Sequence, residues 1–455
     1  MRGARSTLVL LVVALALGAY IYFVESERPP GGTPDPLESA FDVDSDDIDS
    51  LSVTAGNGDR TVIEKDGARW RIVEPFPVNV DVTQVVSLSS NLANLEVQRV
   101  VAEPEDTPEL EAFGLAEPAI EVGFTTTDGA DARLLIGERS PAGNDLYATV
   151  AGSNRVFLIS GFLDTTFDQT TFDLRDKSIL DITRNEVDSL EIAGPDLDVR
   201  LRKADGEGSL ASPIEARADL GVTDGLVGRL GSGRMAAIEA ESADADALAP
   251  YGLDEPRLAV TVGLGSSAAT LFLGDTTPAG TVYARDAARE LVFTVDESLA
   301  TELEQGVDEY RRKDLFAFRP FNATALEIEH EGERWAFELE EAEGEEDGDA
   351  WRRTAPDAAD VDRADMDDLL ARLSNLRAES FEPSRDGTGL DAPAARITVT
   401  FDDGNQETVA VGRTGDDVFA VSGGEPGAAR VNTRSWDDAV EALDLVRGDA
   451  ATAAP

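Results

Sequence analysis

Short runs of alternating apolar and polar residues fill most of this chain, and they return in the same order three times. In Ile397-Thr398-Val399-Thr400-Phe401 the apolar residues alternate with threonines, which predicts a strand with one buried and one wet face. Ile120 to Phe124 and Leu258 to Val262 are its counterparts. A turn-like phrase leads each run: Phe113-Gly114-Leu115-Ala116-Glu117-Pro118, Tyr251-Gly252-Leu253-Asp254-Glu255-Pro256 and the worn copy Thr388-Gly389-Leu390-Asp391-Ala392-Pro393. The prolines lie 138 and then 137 residues apart. A second strand-like run follows each time and closes on Gly137, Gly274 or Gly412. Upstream, Asp49 to Val53 matches Asp188 to Ile192 and Thr324 to Ile328. Trp70 precedes Pro75 as Trp351 precedes Pro356, with Leu210 and Pro213 as a rough equivalent.

Between the strand groups the period changes. Met366, Leu369, Leu370, Leu373 and Leu376 recur at spacings of three and four, which draws an apolar stripe on a helix. Asp362 stands where its carboxylate can accept the free N–H groups of the first turn, and Asp81 and Asp219 hold the same place. In the first copy the stripe is Val85, Val86, Leu88, Leu92 and Leu95. The middle helix is expected to be the weakest, because Gly225, Gly228, Gly231 and Gly233 lower its propensity.

Hairpin-length connections around one helix predict an α+β fold, with three tandem homologous modules that are each a mainly antiparallel sheet with one or two packed helices. About 137 residues per copy is enough for a core of its own, so these are domain-sized repeats. The expected modules are 41–175, 176–315 and 316–447, with a flexible tail at 448–455. The junctions carry the charge clusters Arg175-Asp176-Lys177 and Arg311-Arg312-Lys313-Asp314.

Leu8 to Val24 carries no charge. As a helix it spans roughly 26 Å, a little short of a hydrocarbon core of about 30 Å. Arg2 and Arg5 before it, and Glu25 and Glu27 after it, predict a single-pass anchor at 8–24 with residues 1–7 in the cytoplasm and the modules on the periplasmic, extracytoplasmic side. The competing reading is a cleaved signal peptide with Ala16-Leu17-Gly18 as its site. The apolar residues Tyr20 to Val24, which cleavage would leave exposed, favour the anchor. Residues 25–40, with four prolines, read as an extended stalk.

Composition narrows the chemistry. With 90 acidic against 39 basic residues the formal net charge is −51, so nucleic acid and anionic lipid are repelled and no nucleic-acid partner is expected. Such acidity fits a soluble exported surface, adaptation to high salt, or a cationic partner. There is no cysteine, which removes disulfides and thiolate metal sites. The acidic runs Asp42 to Asp49 and Glu338 to Asp349 read as solvated loops; a calcium loop starting at Asp42 would need glycine where Asp47 stands and glutamate where Val53 stands. The one histidine, His330, lies on a strand and is expected on its wet face, without a nucleophile elbow beside it. Glu117 and Glu255 recur in place, but Ala392 replaces them in the third copy, which favours a turn over catalysis. Trp70, Trp335, Trp351 and Trp436 read as core aromatics. No catalytic, cofactor-binding or metal residue and no cofactor is assigned.

The Arg-flanked span ending Tyr20-Ile21-Tyr22-Phe23-Val24-Glu25, with Trp70 to Pro75, Phe113 to Pro118 and Leu135-Ile136-Gly137, resembles membrane-anchored bacterial proteins of the domain-of-unknown-function family numbered 4340. The resemblance covers nearly the whole chain; Ala392 and the shortened turn after Gly412 depart from it. It brings no catalytic residues. It implies an accessory role beside an ABC-type export system similar to the gliding-motility transporters, with a permease or auxiliary subunit as partner. The expectation is therefore a non-catalytic accessory or interaction protein, tethered by its N-terminal helix to the inner (cytoplasmic) membrane. The alternatives are a carboxylate-dependent envelope hydrolase and a structural spacer or adhesin.

Overall fold

Each copy folds as one nine-stranded antiparallel sheet. The computed structural model describes residues 37–448, except 142, 205, 341–348 and 403. The expected anchor at 8–24, most of the stalk, the core of the second acidic run and the tail beyond Gly448 lie outside the described residues. Among the described residues no helix is long and apolar enough to cross a membrane. Two compact units are present, one ending at Lys177 and one running from Ser178. The first contains one module and the second contains two.

In the first module, four strands step outward in chain order from Ile48–Thr54 through Arg60–Asp66 and Arg69–Glu74 to Val78–Asn79. Four more step the other way, from Ile120–Thr126 through Asp131–Arg139 and Leu146–Val150 to Val156–Ile159, and Arg99–Ala102 closes that edge. The two meanders meet where Leu51 pairs Phe124. The second and third modules repeat this order, with Leu190 opposite Val262 and Leu326 opposite Val399. The peptide bonds before Pro75, Pro213 and Pro356 are all cis.

A helix crosses one face of each sheet: Val82–Ala93, Leu220–Ser232 and Arg363–Ser374. Asp81, Asp219 and Asp362 cap them as expected, each accepting from first-turn N–H groups. The middle helix forms despite its glycines. It has 13 residues and buries Leu226, Val227 and Leu230. A Cβ on Gly233 would meet the Ile179 side chain at 2.4 Å, so glycine lets the helix end approach the segment that enters the module. Packing of an apolar face outweighs propensity here.

The Gly-Leu-x-Glu-Pro phrase makes a turn on the face opposite the long helix. Gly114, Gly252 and Gly389 have φ of +68°, +65° and +76°, a region that favours glycine. The second glycine of each module meets this turn. A Cβ on Gly137, Gly274 or Gly412 would lie 2.2, 2.1 or 2.5 Å from the carbonyl oxygen of Phe113, Tyr251 or Thr388. These glycines do not end their strands, which continue to Arg139, Thr276 and Thr414. The leucine of the middle copy lies outside the main core. Leu253 joins a small separate cluster with Leu248, Val292 and the edge-to-face rings of Tyr251 and Tyr283.

In the second unit the chain between the two modules belongs to both. Arg311 bridges Ala218 of the module it leaves, and Asp314 bridges Arg377 of the module it enters. Glu425 accepts from both the backbone and Nε of Arg217 at 3.0 Å, and lies 3.7 Å from Arg311. The Arg311 side chain is only 5% exposed and sits 3.6 Å above the Phe381 ring. Burial lowers its pKa, and Glu425 opposes that shift.

Candidate functional site

The segment entering each module docks on the end of its long helix, and one backbone bond recurs in all three. Ala40 donates to Leu95 at 2.7 Å, Ile179 to Gly233 at 3.2 Å and Leu315 to Leu376 at 3.1 Å. In the first module this pairing begins at Glu38 and Ser39, inside the segment read as stalk. The next residue is Phe41, Leu180 or Phe316. Leu180 and Phe316 are fully buried, whereas Phe41 is half-buried. Phe41 instead meets Phe124 edge-to-face at 5.2 Å, and together they wall an open concavity of about 610 Å³.

Five carboxylates line this concavity: Asp42, Asp44, Asp47, Asp128 and Asp131, and no basic side chain is among the lining residues. Two have local duties. Asp44 accepts the N–H of Asp46 at 3.0 Å, and Asp128 accepts the Thr126 hydroxyl at 2.5 Å and the N–H of Ala130 at 3.2 Å. The Thr126 hydroxyl, then the Ala130 N–H, hold the Asp128 carboxyl below its ordinary pKa. A general acid needs the opposite displacement. The site can therefore attract and orient a cationic group, with two aromatic rings beside it for an organic cation. Among the described residues no three His, Asp or Glu side chains are arranged to hold a metal ion.

The same corner is closed by side-chain bonds in the other modules. Asp188 accepts the N–H of Gly265 at 3.0 Å, and Asn322 donates to Asp402 at 2.9 Å. In the first module the corresponding bond is a backbone one, from Thr127 to Asp47 at 2.9 Å.

The sequence singled out the Asp42 to Asp49 run but not the concavity, because Phe41 and Phe124 lie far apart in the chain. Glu117 and Glu255 are exposed on their turns. Trp335, Trp351 and Trp436 are buried and Trp70 is half-buried against its core. His330 does not lie on the wet face of its strand. It shares parity with Leu326 and Ile328, so it faces the core, half-buried, with its ring 6.4 Å from that of Trp436. Its Nδ1 is buried without a partner among the described residues, and burial lowers its pKa.

Comparison with curated proteins and with solved structures finds no match to either. The family DUF4340, a domain of unknown function, matches three times, at residues 70–220, 209–393 and 351–449. The matches start at or beside Trp70, Leu210 and Trp351, the same strand of each module, so the family's unit is out of step with the structural one. Together they cover most of the chain, which belongs to the family DUF4340.

Proposed function

We propose that this chain is a non-catalytic, membrane-tethered, extracytoplasmic accessory protein that presents its modules to an integral partner of an ABC-type transport system. The observation that carries the reading is the contrast between shared cores and unshared corners. Three modules repeat one sheet and one capped helix, while the acidic, aromatic-walled concavity occurs at the corner of one of them. A repeated scaffold with one distinctive surface suits recognition better than catalysis. No basic side chain is among the lining residues, and Asp128 is shifted below its ordinary pKa, the wrong way for a general acid. The transporter is an inference from family resemblance alone.

The test is purification of the tagged full chain from membranes in mild detergent. An ABC permease or its auxiliary subunit should co-purify, and Asp42→Asn with Asp131→Asn should weaken that association by removing charge at the concavity. Recovery of the chain alone, in repeated preparations, would sink the reading. A carboxylate hydrolase is the second reading, favoured only by the five carboxylates at one concavity. It requires glycan cleavage that disappears in Asp131→Asn.

A further inference from the structure

The first and second modules cover a strand edge that the third, among the described residues, leaves open, and the difference identifies what the edge takes. In the first module the Asp81 N–H donates to the Leu174 carbonyl and the Asp176 N–H to the Asn79 carbonyl, both at 2.9 Å. In the second, Asp219 donates to Tyr310 and Arg312 to Arg217, again at 2.9 Å. The antiparallel bridges Val80–Arg175 and Ala218–Arg311 lie between these bonds. Each edge is thus sealed by the extended chain leaving its own module.

The third module has the same edge. Val361 donates inward to Trp351 at 3.2 Å as Ala218 does to Gly208 at 2.9 Å, so the Asp360 carbonyl and Asp362 N–H point outward by strand alternation. Among the described residues neither forms a backbone bond. Arg447 stands where Arg175 and Arg311 stand, but it ends a continuous helix, Thr433–Arg447, and Gly448 turns the chain at φ +82°. Val80 and Ala218 are buried beneath their covering strands, whereas Val361 is half-buried and Asp362 exposed.

We infer that the edge Ala359–Asp360, continued by Val361 and Asp362, is a docking site for an extended basic segment of a partner protein, which adds a strand there. Main-chain bonds to Asp360 and Asp362 would supply the pairing. The two internal strands that fill the equivalent edges set the side-chain chemistry. They read Leu174-Arg175-Asp176-Lys177 and Tyr310-Arg311-Arg312-Lys313, an apolar residue followed by arginine and, two positions on, lysine. The open edge complements that pattern. Asp360 and Asp362 stand along it, Asp365 lies in the first turn of the helix that follows, and none of the three is in an ion pair among the described residues. The site lies in the third module and stands whether or not the partner is a transporter.

The experiment uses the full chain and a fluorescent peptide copying residues 309–316. Saturable binding is expected, with hydrogen-exchange protection gained at the Asp362 amide. Asp360→Lys, an exposed change that leaves the fold intact, should weaken binding by about fivefold or more through charge reversal. A chain ending at Gly448 should bind as the full chain does. Absent binding, equal binding by Asp360→Lys, or protection elsewhere would overturn the proposal. So would markedly tighter binding by the shortened chain, because the tail would then be the strand that occupies the edge.

Discussion

Phe41 and Phe316 occupy the same place in two modules and meet different fates. Each follows the backbone bond that docks the entering segment on the helix end. Phe316 is fully buried, stacks edge-to-face on Phe318 at 5.4 Å, and lies under a corner tied by Asn322 and Asp402. Phe41 stays half-buried and walls an acidic concavity. One repeated fold can thus hold a packed corner or a binding surface, and a few residues in the entering segment decide which.

The largest effect should separate these two phenylalanines. Phe316→Ala should cost about 3–5 kcal/mol in urea unfolding, because it empties a closed core, while Phe41→Ala should cost roughly half as much. Equal costs would break the comparison. The glycine crossing shared by the two modules should behave in the opposite way. Gly137→Val and Gly412→Val each drive a side chain into a carbonyl oxygen and should both cost about 3 kcal/mol or more. A large inequality would mean that the crossings are not equivalent.

A smaller effect belongs to the middle helix. A Cβ on Gly225 would meet nothing within 4 Å, so Gly225→Ala should raise the melting temperature, with a gain of about 1 kcal/mol. The smallest and most selective concerns His330, the single histidine of the chain. Burial lowers its pKa in the folded state, opposed by Glu331 and Asp444 and assisted by Arg447. The unfolded chain, with a pKa of about 6.5, then binds the proton more readily than the folded one. Stability of the third module should therefore fall as pH drops below about 6.5 and level off below the folded pKa. His330→Gln should flatten that slope, whereas the first module, which has no histidine, should show none of it.

Much of the fold was legible because it is written locally. Period-two runs and the aspartates at 81, 219 and 362 gave strands and helix starts without tertiary information. The meeting of Gly137 with the Phe113 carbonyl was not legible, since it depends on a turn crossing a strand. His330 could have been placed by counting parity from Ile328, a signal that was present in the sequence. The concavity could not, because it arises from the partial exposure of Phe41, and only the packed chain sets exposure. The start of the middle helix was legible from Asp219, but the contact that Gly233 permits with Ile179 was not, because it joins the helix end to the entering segment.

The strand from Arg311 to Asp314 finishes one module and starts the next. Arg175, Arg311 and Arg447 fall 136 residues apart, so every copy ends on the same step of the pattern. In the second unit one short segment therefore serves two modules at once, and a substitution at Arg311 or Asp314 should loosen both together.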